Sequence, residues 1–173
     1  MRYRIVAAAF LVMAAAVLQS TVMGYLEVFS VRPNILITLA VAIALLRGTV
    51  ESAIMGAVLG LTMDILMGKT LGWYALLLFL LAILISMVNE KLYREKLLVL
   101  MGFGFLSTVA VETLFMLIIF LFRGYRHIPY LFTMVVLPEA LLNSILILPL
   151  FKPIAKVYNI LDTLDRKRNR LSS

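Results

Sequence analysis

Three acids sit inside long apolar stretches of this 173-residue chain: Asp64, Glu112 and Glu139. Carboxylates in such settings can do acid–base work or pass protons. A charged acid at the centre of a bilayer costs about 2.5–3.5 kcal/mol on insertion scales, so each is expected to face protein or water. Gly104, Thr108 and Glu112 fall on one helical stripe, and Glu139 lies one turn from Asn143, which gives both acids a route into a bundle interior. Pro138 cannot donate to the carbonyl of Met134, so the segment carrying Glu139 is expected to kink or break there. Counting along the spans puts Glu112 and Glu139 roughly 12–15 Å below one edge, with Gln19 and Asp64 nearer that edge. Gln19, Asp64, Glu112, Glu139 and Asn143 thus form an expected intramembrane polar cluster, with Arg123 or Arg126 as counter-ions. Three readings are open for it: hydrogen bonding between helices, recognition of a partner, and proton or solute handling.

Catalysis finds little support. No nucleophile with a base, phosphate-cradling glycine loop or metal-ligand cluster accompanies the acids. The chain has no cysteine, which removes disulfides and thiolates, and its one histidine, His127, lies beside Arg126 in a predicted loop. The expectation is a protein without enzymatic activity, cofactor or metal.

A second pattern is steric. Ser52, Gly56, Gly60, Asp64 and Gly68 recur every four residues, placing small side chains and one carboxylate on a single helix face. Such a face lets another helix backbone approach closely, which in lipid replaces the missing hydrophobic drive. An intramolecular helix contact is the first expectation and a groove for a partner helix the second.

The elements that must carry these residues follow from composition. With 64% hydrophobic and only 14% charged residues, against roughly 45–50% and 25% in soluble domains, there is too little polar surface to coat a soluble particle. Apolar runs at 5–26, 33–46, 52–67, 70–88, 97–122 and 131–151 predict an all-α membrane domain over 1–151 with six transmembrane helices. An N-terminal secretory signal is rejected because the first run is long enough to span. The 33–46 run is short, and charge decides in favour of a separate crossing. With both termini cytoplasmic, twelve Lys and Arg, including Arg2, Arg4, Arg47, Lys91, Arg94 and Lys96, lie inside, while Arg32, Lys69, Arg123 and Arg126 lie outside. Tyr3, Tyr25, Tyr74, Tyr93, Tyr125, Tyr130, Tyr158 and Trp73 fall near predicted helix ends, as expected of headgroup-level aromatics.

The connections are short. Arg47 is expected to close the second helix and Glu51 to open the third, each suited to its end of the helix dipole, with Gly48 taking a left-handed turn between them. Pro33 is expected at the first helical position of the second span. Residues 152–173 read as a basic amphipathic tail: Ile154, Val157, Tyr158, Leu161 and Leu164 at helical spacing, then Arg166, Lys167, Arg168 and Arg170 on anionic lipid. The net charge of +7 is distributed as orientation signals between apolar runs, so nucleic acid is not an expected partner.

Arg32-Pro33-Asn34, Leu45-Leu46-Arg47-Gly48, Gly56-x-x-x-Gly60-x-x-x-Asp64 with Gly68 and Gly72, and Pro138-Glu139 with Asn143 and Pro149 together resemble the MreD family of rod shape-determining membrane proteins. The resemblance covers nearly the whole chain. It implies a non-enzymatic scaffold subunit of the cell-elongation machinery in the bacterial inner membrane. Such a subunit binds the single-pass protein MreC and helps couple MreB filaments to peptidoglycan synthases. It also implies an architecture similar to the six-helix substrate-binding subunits of energy-coupling-factor vitamin transporters. Arg47, Gly56, Gly60, Asp64, Glu139 and Asn143 match the family pattern, while Glu112 stands outside it. The alternative is a substrate-binding membrane subunit of a vitamin or small-solute transporter.

Overall fold

The computed structural model describes residues 2–27, 31–68, 71–89, 97–123, 130 and 132–171, with the side chains of Arg2, Arg123 and 167–171 outside that set. Lys69, Lys91, Tyr93, Arg94, Lys96, Tyr125, Arg126 and His127 also lie outside it, so the expectations attached to them have no structural counterpart. Among the described residues the secondary structure is helical. The helices are α1 (Arg2–Thr21), α2 (Ile35–Leu46), α3 (Thr49–Met67), α4 (Trp73–Asn89), α5 (Leu97–Arg123) and α6 (Leu137–Leu171), the last preceded by a π-helical turn, Phe132–Val136.

Four helical stretches are long and apolar enough to cross a membrane: Tyr3–Thr21, Thr49–Met67, Leu97–Phe122 and Phe132–Arg166. At 12 and 17 residues, α2 and α4 are shorter. The physical reason α2 can be short is its surroundings. Eleven of its residues, Ile35 to Leu45, are buried, so it is the axis of the bundle and contacts α3, α4, α5 and α6. A helix apolar all round belongs inside protein, and the unbroken run ILITLAVAIALL supplies that.

The α3–α4 pair is the most intimate. A Cβ on Gly56 would fall 2.5 Å from the Leu78 carbonyl oxygen and 2.8 Å from Ala82 Cβ, and one on Gly60 would overlap the Tyr74 carbonyl oxygen and Ala75 Cα. The ridge is therefore filled by this chain's own α4, as its first reading anticipated. Gly68, expected to extend it, does something else. A Cβ there would meet nothing, and at φ 62° it forms the left-handed cap of α3.

Three local expectations are corrected. Gly48 is extended (φ −71°, ψ 167°) and serves as N-cap of α3; the left-handed backbone occurs at Gly68 and Gly72. Pro33 precedes the helix, because Asn34 takes the N-cap position and its side-chain oxygen meets the second and third amides. No break separates residue 151 from the tail, since α6 runs on through Pro149 and Pro153. The interruption predicted at Pro138 takes the form of the π turn immediately before it, where the i−4 ladder has lost a donor.

Candidate functional site

Polar side chains gather at the end of the bundle where α2 begins. The first amides of a buried helix need acceptors that water cannot supply. Asn34 Oδ1 accepts from Leu36 and Ile37 N–H at 3.2 Å each, and Gln19 Oε1 of α1 accepts from Ile35 N–H at 2.8 Å. Gln19 also donates to the Pro33 carbonyl at 3.3 Å, so one amide holds the residues on either side of Asn34. From the opposite side Asn143 of α6 accepts from the Asn34 backbone N–H at 2.7 Å and donates to Thr108 of α5 at 3.1 Å. Asn143 is fully buried, and four helices are stitched together at this level.

Asp64 serves the neighbouring helix. Its carboxylate accepts from Gly72, Tyr74 and Ala75 N–H at 2.9, 3.1 and 3.1 Å, capping the first turn of α4 while buried itself. Negative charge at a helix N-terminus is favourable, so an acid that would be costly in lipid is satisfied by protein. Glu112 accepts from the Tyr74 hydroxyl at 3.2 Å, and the Tyr74 ring stacks on Phe115 with centroids 4.0 Å apart. Glu139 lies beside the Asn34 amide and within electrostatic reach of Glu112.

Thus Gln19, Glu139 and Asn143 meet at the start of α2 around Asn34, whereas Asp64 and Glu112 reach the layer through Tyr74. The counter-ions proposed for the acids, Arg126 and the Arg123 side chain, lie outside the described residues. Among those described, Asp64, Glu112 and Glu139 make no ion pair and no cluster of His, Cys, Asp and Glu suited to a metal occurs. Tyr74 stands in the first turn of α4, at a helix end as its position suggested, and is buried there, as is Tyr158 on α6, whereas Tyr3, Tyr25 and Tyr130 are exposed.

A cleft of about 560 Å³ opens above this layer, with Asn34, Met63 and Glu139 at its floor and Gln19, Glu27 and Arg32 on its walls. Arg32 and Glu27 pair at 2.9 Å. The lining combines amide, hydroxyl, carboxylate, guanidinium and thioether groups with apolar side chains.

The opposite end carries a charged layer. Arg47 closes α2, as expected, and its guanidinium holds Asp162 of α6 through two bonds of 2.8 and 3.0 Å while Nε meets Glu51 at 2.8 Å. Arg4 of α1 binds the same Asp162 at 2.7 Å and Asp165 at 2.6 Å. The Arg47 guanidinium also lies over the Tyr158 ring, 4.7 Å from its centroid. Hydrogen bonding to Asp162 raises the Arg47 pKa, and the reciprocal bond holds the Asp162 carboxyl below the ordinary aspartate range. Sequence reasoning found Arg47 and Glu51 but missed Arg4, Tyr158, Asp162 and Asp165. The two added acids were the available signal, standing among the basic residues of the tail. Arg166 is exposed on α6, and the side chains of Lys167, Arg168 and Arg170 lie outside the described residues.

A bundle that is helical throughout its described residues, with one interior acid capping a neighbouring helix and four long apolar segments that suit a bilayer, is that of a multi-pass membrane protein. The family model of the rod shape-determining protein MreD matches residues 1–161, nearly the whole chain. The chain belongs to that family, and its role lies in rod shape determination. Neither a curated protein nor a solved structure matches it.

Proposed function

We propose that this protein is a non-catalytic scaffold of the cell-elongation machinery. In this reading all six helices lie in the bacterial cytoplasmic membrane, with both termini in the cytosol and an architecture like that of energy-coupling-factor substrate-binding subunits. The protein binds a single-pass MreC-like partner and through it couples MreB filaments to peptidoglycan synthases. The observation that carries the reading is the family match over residues 1–161. The geometry supports it in one respect: the cleft beside Asn34 and Glu139 opens at the end that this orientation turns outward, where a single-pass partner emerges from the membrane toward its outer domain.

The cleft supplies the test. Leu66 lines it and is 44% exposed, so Leu66→Trp fills the opening without touching the core. The expected result is normal expression with loss of the co-purifying single-pass protein and of rod shape. Undiminished partner recovery would overturn docking at the cleft. A second reading, a solute-binding transport subunit, draws on the same cleft; a stoichiometric small molecule in native mass spectra, released by Glu139→Gln, would establish it instead.

A further inference from the structure

The far half of α6 has two unlike faces. Ile154 and Tyr158 are buried, and Asp162 and Asp165 reach the arginines of α1 and α2, so this side is occupied by the bundle. Residues 152, 156, 159, 163 and 166 recur at intervals of four and three and therefore share another side. They are Lys152, Lys156, Asn159, Thr163 and Arg166, all exposed. Beside them a groove of about 610 Å³ runs along the helix, lined also by Phe151, Ala155, Ile160 and Leu164. No carboxylate among the described residues pairs with Lys152 or Lys156.

Depth decides what can neutralise these lysines. Arg4 stands just before the apolar run of α1, Arg47 just after that of α2, and both hold Asp162, so residue 162 lies on the aqueous side of the predicted span that ends at 151. Lys152 and Lys156 lie between the end of that span and Asp162, in the first two turns beyond the hydrocarbon, at the level of the lipid phosphates. At that level on an outward face, the ammonium groups meet phosphate oxygens while their apolar stems lie along the hydrocarbon edge.

We propose that Lys152 and Lys156, with the apolar groove of α6 beside them, form a binding site for an anionic phospholipid, its phosphate on the two ammonium groups and an acyl chain along Phe151 and Ala155. The site rests on the membrane-spanning reading above, and the proposed orientation puts it in the cytoplasmic leaflet. It does not depend on any partner.

Two basic groups at about fivefold each predict roughly 25-fold tighter binding of an anionic than a zwitterionic lipid. The experiment titrates phosphatidylglycerol or phosphatidylethanolamine into the full-length protein in detergent and counts bound lipid by native mass spectrometry. Wild type is expected to retain phosphatidylglycerol preferentially, Lys152→Gln with Lys156→Gln to lose that preference, and Lys152→Arg with Lys156→Arg to keep it. Equal retention of both lipids by wild type, or an unchanged preference in the Gln double variant, would overturn the site. So would loss of a co-purifying acidic protein in the Gln variant with lipid preference intact, since that marks the face as a protein contact. Recovery of the single-pass partner, measured on the same preparations, tests the scaffold reading separately.

Discussion

Replacing Gly60 by alanine adds one methyl group where α3 has no room. The new Cβ would overlap the Tyr74 carbonyl oxygen and the Ala75 Cα. Both are backbone atoms of α4 and neither can rotate aside, so the helices must separate. Gly102 provides the matched control: it lies inside α5, and an added Cβ there meets nothing within 4 Å. Both substitutions share the gain in helix propensity of about 0.5–1 kcal/mol, so the difference between them isolates the clash. Overpacking of this kind costs about 1–3 kcal/mol, a roughly 5- to 150-fold difference in unfolding equilibrium. The assay is SDS titration of the full-length protein in mixed micelles, read by fluorescence of Trp73. That residue is the chain's one tryptophan and neighbours Tyr74 in the contact under test. Gly102→Ala should move the midpoint to higher SDS and Gly60→Ala to lower. Coincident midpoints, or a Gly60→Ala protein more stable than wild type, would refute the close-packing argument.

The same assay reaches the α4 cap. Asp64→Ala removes the acceptor of three N–H groups, that of Tyr74 buried and those of Gly72 and Ala75 part-buried, so it should cost about 1–3 kcal/mol, with Asp64→Asn, which keeps one acceptor oxygen, in between. Gly68→Ala should cost about 1 kcal/mol because its backbone is left-handed, whereas Gly48→Ala should stay within about 0.5 kcal/mol because Gly48 is extended and open; equal effects would contradict the turn assignment. At the charged layer the Asp162 carboxyl titrates below its ordinary value of 3.8, so its stabilisation is complete above that value and is lost as pH falls through the depressed one. A nitroxide at position 166 should therefore show constant mobility from pH 8 to 5 and greater mobility only in stronger acid. Asp162→Asn should free it at pH 7.

How legible the molecule was depended on how far apart the partners stand in sequence. The apolar runs located the helices to within about five residues except at the far end of α6, which continues from the predicted end at 151 to Leu171, and the four-residue glycine spacing announced a close contact because a small-residue face has few other uses. Asp64 was recognisable as an acid needing a partner, but its donors belong to the next helix and become a cap only once Gly68 and Gly72 fold the chain back. Asn34 looked like one letter of a family motif; its work at the start of α2 depends on Gln19 and Asn143, the latter 109 residues away. Arg47 was read from its place at a helix end, while its main partner lies 115 residues on, beyond any periodicity. Gly48 misled because a glycine between two helices usually signals a left-handed cap, and here the following helix uses it as an N-cap.

The brevity of α2 bears on how the chain enters the membrane. Twelve residues cover about 18 Å, little more than half of a hydrocarbon slab of about 30 Å, and nearly every side of the helix is turned toward other helices. Such a segment gains little by partitioning into oil alone, and although Asn34 caps the Leu36 and Ile37 amides locally, those of Asn34 and Ile35 stay unsatisfied there until Asn143 and Gln19 arrive. Its residence is consequently a product of assembly, since Gln19 of α1 and Asn143 of α6, from opposite ends of the helical order, must both be in place before the start of α2 is satisfied.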